Sequence, residues 1–270
     1  MKSISSVGPA PLRLDGTERR HLDDDGYVVR EGVFTADEVG QMISASESLV
    51  DDLVRERRGL RLKVGSYVFD PDLVRDVMIK WEGDSDVVHG IEPCAHLNAA
   101  LRDWAYDPRL VEPMVDLIAD DEPTLFTEKL NLKRPNEGGA NPPHQDYPYW
   151  VDSAEVAEDV ATAMVFLDDA TIANGCLRVA PGSHKKGKWT TRTDGDQFLA
   201  NEIDMTAYPD AELEPLELGA GAVVMFGPFL VHQSLPNRSD RQRRALLYSY
   251  QPPGRQHMVD TLRKLSQGGR

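Results

Sequence analysis

Cysteine is scarce in this chain of 270 residues: there are two, Cys94 and Cys176. Two thiols cannot supply the disulfide framework of a small secreted domain, and free thiols suit a reducing compartment, so the expected location is the cytoplasm. Long apolar runs are missing too. None approaches the roughly 18 residues needed to cross a bilayer, and no basic, apolar leader opens the chain, so no membrane association is expected. Positive charge is in deficit, with 30 Lys and Arg against 45 Asp and Glu, a net charge of −15. A surface of that sign repels phosphate backbones and argues against a nucleic-acid partner. No internal repeat and no linker-like stretch divides the chain, and nothing in it bears on oligomeric state.

What is present fits one globular unit. The apolar fraction is 40%, and a chain of this length can close a full core around a single β architecture. Residues 1–16, rich in Ser, Gly and Pro, read as a flexible N-terminal arm, leaving 17–270 as the domain. Helical patterns are expected over 17–24, stopped by Gly26, and over 36–57, where Thr35 and Glu38 form a capping-box pair and Gly59 ends the run. Further helices are expected over 95–105 and 108–119, separated by the Asp107-Pro108 turn. Residues 60–95 are mixed, with hints of short strands at Leu62, Val64, Tyr67 and Phe69. From Thr124 the pattern changes to short strands at 125–133, 144–147, 162–167, 177–179, 216–218, 222–226, 231–234 and 245–250. Turn signals such as Asn174-Gly175 and Pro181-Gly182 separate them. The expectation is a mainly β fold, a sandwich or closed barrel, with a helical N-terminal half packed against it.

The chemistry concentrates at Pro143-His144-Gln145-Asp146. On a strand, residues i and i+2 point to the same side, so His144 and Asp146 can offer a nitrogen and a carboxylate oxygen to one metal. The best second histidine is His232, which follows the apolar 222–226 strand. Two histidines and one carboxylate on one face of an octahedron leave the opposite face open, the pattern of non-haem Fe(II) oxygenases. A 2-oxoacid fills two open positions and O2 the third. Ser234, two residues after His232, can point the same way and donate to the oxoacid. Tyr147, Tyr149 and Trp150, just after Asp146, are candidates for the substrate wall. His21, His89, His96 and His257 have no partner at metal-ligand spacing.

Several blocks, in order, resemble the phytanoyl-CoA dioxygenase family of Fe(II)/2-oxoglutarate-dependent oxygenases. They are Asp25-Gly26-Tyr27-Val28-Val29 with Gly32-Val33-Phe34-Thr35, Leu132-Lys133-Arg134-Pro135 through to Asp146, Ala173-Asn174-Gly175-Cys176-Leu177 with Pro181-Gly182-Ser183-His184, and Val231-His232-Gln233-Ser234 with Asn237-Arg238-Ser239 and Arg243. The resemblance spans about residues 20–250. It implies a double-stranded β-helix, a cupin-like jelly roll buttressed by helices. It also implies Fe(II), 2-oxoglutarate and O2 as cofactors and oxidation of a small-molecule substrate with release of succinate and CO2.

Arg243 matches the arginine that grips the far carboxylate of 2-oxoglutarate, a task for a bidentate guanidinium, with Arg241 and Arg244 as close rivals. Lys80 matches a lysine near the co-substrate in some relatives, Lys129 and Met164 fall at co-substrate or substrate contacts, and His89 falls near residues lining the site. The carboxylate at Asp146 argues against halogenation, but desaturation, cyclisation and epimerisation share the ligand set with hydroxylation. A cupin-like metal enzyme that ignores 2-oxoglutarate, or an inert binding module, would keep the fold. The acidic chain disfavours a polyanionic coenzyme A ester and favours a small neutral or cationic specialised metabolite or an amino-acid derivative.

Overall fold

The computed structural model describes residues 12–56, 61–64, 67–192 and 201–266. Most of the expected arm, residues 1–11, and the expected helix stop at Gly59 lie outside the described residues. The end of the arm is anchored: Leu14 is buried, and the Arg30 guanidinium donates to the carbonyls of Leu12 and Arg13. Asp15 caps α1 (Gly16–Asp25) by accepting from the amides of Thr17 and Glu18. Gly26 ends that helix in the left-handed conformation, at φ +89°.

After β1 (Tyr27–Arg30), Thr35 and Glu38 form the expected capping box of α2 (Ala36–Arg55). The chain then runs through β2 (Leu62–Val64), β3 (Tyr67–Asp72), β4 (Val77–Trp81) and β5 (Val88–Glu92). The helix expected over 95–105 is broken. A single 3-10 turn, Ala95–Leu97, is followed by Asn98 in an extended conformation, whose side chain caps α3 (Ala99–Trp104) through the amides of Ala100 and Leu101. Asparagine favours that cap over a helix interior. Asp107 caps α4 (Pro108–Ile118), with proline at its first position.

Arg109 ties the two capping sites together, donating to Glu38 Oε1 at 2.8 Å and to Asp107 Oδ2 at 2.7 Å. The Arg109 hydrogen bonds, with the Thr35 amide, hold the Glu38 carboxyl down at about 2, against its ordinary 4.5. A carboxylate lowered on folding stabilises the fold above its ordinary value, and that support is lost as pH falls from 4.5 towards 2. Urea unfolding at pH 7, 4 and 3 is expected to show a shallower acid loss in Glu38→Gln than in the parent protein.

The remaining elements are β6 (Thr124–Lys133), β7 (Asn141–His144), the one-turn α5 (Tyr147–Trp150), β8 (Ala161–Phe166), β9 (Leu177–Val179), β10 (Glu214–Leu216), β11 (Val223–Phe226), β12 (His232–Ser234), β13 (Arg243–Gln251) and α6 (Met258–Ser266). They form two sheets, one of nine strands in the order β1-β11-β8-β13-β6-β5-β4-β3-β2 and one of four, β10-β9-β12-β7. Every pairing within them is antiparallel.

Strand periodicity assigns the two faces of the large sheet. Ala163, Val165, Val223, Met225, Leu246 and Tyr248 face a core shared with Val39, Met42, Leu110 and Met114 of α2 and α4. Their neighbours Met164, Phe166, Val224, Phe226 and Ala245 face a second core with Leu177 and Val179 of the small sheet. The result is the expected jelly roll buttressed by helices, open at one end between the sheets. No described helix is long and apolar enough to cross a membrane.

Candidate metal centre and substrate cavity

Antiparallel register makes the metal centre. His232 on β12 is the direct cross-strand partner of His144 on β7, so two histidines far apart in sequence stand with ring centroids 4.2 Å apart. Each ring is fixed by a backbone carbonyl: His144 Nδ1 lies 2.7 Å from Pro142 O, and His232 Nδ1 lies 3.0 Å from Leu230 O. A carbonyl only accepts, so both Nδ1 atoms carry the proton and both Nε2 lone pairs face the cavity. Burial, then His232, push His144 well below its ordinary value, which keeps the ring neutral as a ligand must be.

Asp146 arrives by a route other than the expected strand. β7 ends at His144, and Asp146 sits in helical conformation (φ −74°, ψ −30°) at the start of α5. Gln145 makes that turn. Its fully buried side chain donates to Gly187 O and Phe229 O and accepts from the Trp189 amide. Asp146 Oδ1 thus comes to 3.9 Å from His144 Nε2 and 3.8 Å from His232 Nε2.

This is the only group of three potential metal ligands found among the described residues, and its donor atoms all lie within 4.8 Å of one another. Cis donors on a metal at bond lengths of about 2.1 Å stand about 3 Å apart, so closing on an ion takes side-chain shifts of about 1 Å or less. Burial raises the Asp146 carboxyl, a penalty that a bound cation would offset. Two neutral nitrogens and one carboxylate fit Fe(II).

The fit to an oxoacid rests on Arg243. It is 1% exposed, lines the cavity, and donates from Nη2 to Gly175 O at 3.1 Å, while its Nε and Nη1 have no hydrogen-bond partner. Two orphaned donors on one buried guanidinium have the form of a carboxylate site. Its rivals drop out: Arg244 turns away to Asp168 and Glu47, and Arg241 is exposed. Lys133, the cross-strand partner of Arg243, is pushed down to about 6 by burial and by Arg243, and its Nζ donates to Gly139 O.

Ser234 lines the cavity, with its Oγ 3.3 Å from Asn141 Nδ2. Gly175 explains the support beneath Arg243. At φ +78°, a Cβ there would stand 2.2 Å from Leu235 O. Gly175→Ala is expected to cost about 1–3 kcal/mol of stability and to raise the KM for 2-oxoglutarate, measured by thermal unfolding and by initial rates.

The cavity, about 290 Å³, lies between the sheets. Lys80, Lys129, Met164, Tyr149 and Trp150 line it as expected positions, but Tyr147 and His89 do not. Tyr147 stacks on Phe229 with centroids 4.7 Å apart and packs against the cluster of Phe126 and Trp150. His89 sits behind the wall, with Nδ1 2.7 Å from Glu82 Oε1 and Nε2 2.9 Å from the Asn141 side-chain amide. Burial and the Lys80 charge keep it neutral. A neutral imidazole that donates to Glu82 accepts at Nε2. An Asn141 amide turned by 180° satisfies it and offers its oxygen to Ser234. His89 therefore positions Asn141.

Residues absent from the expected set also line the cavity: Glu92, Thr127, Asn131, Asn141 and Met258. Only the strand alternation of 125–133, which puts Thr127, Lys129 and Asn131 on one face, could have flagged any of them.

Comparison with known proteins agrees with this geometry. The family model for phytanoyl-CoA dioxygenase matches residues 22–245. The 2-aminoethylphosphonate dioxygenase of uncultured bacterium HF130_AEPn_1 is 34% identical over 144 residues, 52% of this chain, and the alignment spans about half (50%) of that relative. The L-proline trans-4-hydroxylase of Streptomyces griseoviridis is 28% identical over 242 residues, covering 77% of this chain and 88% of that enzyme. Among solved structures, the non-haem alpha-ketoglutarate-dependent carbocyclase SnoK from nogalamycin biosynthesis superposes with a TM-score of 0.70 at 19% identity, over 93% of this chain and 89% of that one. With the ligand set, the orphaned guanidinium and the jelly roll in place, the chain belongs to the phytanoyl-CoA dioxygenase family.

Proposed function

We propose that this protein is an Fe(II)- and 2-oxoglutarate-dependent dioxygenase that hydroxylates a small specialised metabolite or amino-acid derivative, working as one domain over residues 17–270. The observation that carries the reading is the pairing of the His144, Asp146 and His232 donor set with the unpartnered Arg243 guanidinium in one cavity. When bound, iron with 2-oxoglutarate and O2 supplies the oxidation of a C–H bond, releasing succinate and CO2. The chain does the rest. His144 and His232 present Nε2 lone pairs fixed by their carbonyl partners, and Asp146 offsets cationic charge. Arg243 and Ser234 hold the co-substrate tail. Trp150, Met164, Leu177 and Phe226 make an apolar wall that limits water near the reacting carbon.

The buried thiols Cys94 and Cys176 favour a cytoplasmic setting. The Streptomyces griseoviridis relative is named for hydroxylation, and the SnoK structure for ring closure. Cyclisation, desaturation or epimerisation on the same ligand set is the second reading. Succinate formation from 2-oxoglutarate, with Fe(II) and O2, is the test. Stimulation by a small substrate supports the proposal. Absence of any iron-dependent succinate points to a cupin-like enzyme of other chemistry or to an inert binding module.

A further inference from the structure

One row of the cavity wall carries hydroxyls. Ser249 on β13 is the cross-strand partner of Thr162 on β8 and of Thr127 on β6, and all three line the cavity. Thr162 and Ser249 are 1% and 3% exposed, and their hydroxyl oxygens stand 2.8 Å apart. Two hydroxyls bring two hydrogens, and one of them closes the bond between the pair. Among the described residues, no acceptor takes the other. Thr127 offers no second donor, since its hydroxyl already points to Glu92 Oε1 at 3.2 Å and Met258 Sδ at 3.3 Å. A buried O–H that faces a cavity without an acceptor has the form of a ligand contact.

The pair lies beside the metal centre and away from the co-substrate tail. Phe226 is the cross-strand partner of Thr162, and its ring packs on His232 with centroids 5.1 Å apart. Ser249 stands six residues from Arg243 along β13, about 20 Å of strand. The four C–C bonds of 2-oxoglutarate span about 5 Å. A co-substrate held between Arg243 and the metal therefore leaves these hydroxyls to the substrate. The charges nearest the row are matched: Glu92, the acceptor for Thr127, also stands 3.4 Å from Lys129 Nζ. An anion at the hydroxyls would meet Glu92, and a cation would meet Lys129. A carbonyl oxygen supplies the missing acceptor and carries neither charge. Met258, against Thr127, and Trp150 add apolar surface for the rest of the molecule.

This inference rests on the proposed function and narrows its substrate. We propose that the Thr162–Ser249 hydroxyl pair holds an uncharged carbonyl oxygen of the substrate, that of an amide, a lactam or a ketone. The free hydroxyl hydrogen donates to that oxygen and so helps to set which C–H bond faces the metal. Of the neutral and cationic solutes expected from the sequence, the neutral ones fit.

The test is anaerobic calorimetry on protein loaded with Fe(II) and 2-oxoglutarate. The probes are an amide, an acid and an amine on each of two skeletons: isobutyramide, isobutyrate and isobutylamine, and cyclohexanecarboxamide, cyclohexanecarboxylate and cyclohexylmethylamine. On at least one skeleton the amide is expected to bind about fivefold or more tightly than both charged probes, the worth of one hydrogen bond. Thr162→Val combined with Ser249→Ala is expected to weaken that amide by the same factor. Either substitution alone leaves one free hydroxyl and keeps most of the preference. Removing both partners of a buried hydrogen bond is nearly neutral for stability, which thermal unfolding checks. Amides that fail to bind the parent protein at millimolar concentration, an acid or amine that binds as tightly as its amide on both skeletons, or unchanged amide affinity in the double variant overturns the proposal. The parent comparison decides even if the double variant fails to fold. The weak visible band of an Fe(II)·2-oxoglutarate complex, read in the same samples, reports the metal reading separately. If it is missing, the calorimetry on metal-free protein still reports the hydroxyl pair.

Discussion

Asp146→Ala is expected to give a folded protein that no longer turns over 2-oxoglutarate. The substitution leaves two neutral nitrogens at the site and removes its one anionic ligand. Loss of a hydrogen-bonding partner behind a metal ligand typically costs about 10–100-fold in affinity or activity, and loss of the ligand itself should exceed that range. The fold should not suffer. Asp146 makes no capping hydrogen bond to α5, and the turn that carries it is held by Gln145. Burial also disfavours its charge, so the metal-free variant should melt no lower than the metal-free parent. Iron content after dialysis, succinate yield and thermal unfolding check the three parts. An Asp146→Ala protein with parental succinate yield would remove the carboxylate from the site.

Arg243→Met is expected to separate binding from stability even more sharply. A buried charge pair truncated on one side costs about 2–5 kcal/mol, which is about 30-fold to several thousandfold in affinity. The KM for 2-oxoglutarate should rise by that factor. Without co-substrate, the arginine is a burden on the fold. Burial holds it down at about 10, two of its nitrogens have no partner, and it faces Lys133 across the β6–β13 ladder. The methionine variant should therefore unfold at the same temperature or higher, and should lose the stabilisation that 2-oxoglutarate gives the parent, about 2.7 kcal/mol at a hundred times Kd. A variant that keeps the parental KM would place the far carboxylate elsewhere.

The candidate metal ligands were legible because each belongs to a short motif of the right residue types, and the fold because strand alternation and turn pairs dominate from Thr124 onward. What placed His232 opposite His144 was register, which no local pattern states. Asp146 was expected beside His144 on one strand face, and the structure brings it to the two histidines by another route. The i, i+2 rule assumed a strand through Asp146, but β7 ends at His144, two residues short, where the buried amide of Gln145 holds the turn.

β5 was missed because its cavity face bears Gly90 and Glu92, which read as loop, and Gly90 is there to let Lys129 pass. The family resemblance places His89 near residues lining the site, but the structure sets it behind the cavity wall. Its partners, Glu82 and Asn141, lie seven and fifty-two residues away. Met258 at the start of α6 closes part of the wall from a segment with no helix expected.

The central claim is that one ferrous ion sits between His144, Asp146 and His232 with room for an oxoacid. Anaerobic titration of the metal-free protein with Fe(II) and saturating 2-oxoglutarate, followed by X-ray absorption at the iron edge, tests it most directly. The account predicts one iron per chain, a six-coordinate shell of nitrogen and oxygen that includes two imidazoles, and one imidazole fewer in His232→Ala. Iron that fails to bind, or a shell unchanged in that variant, would contradict it.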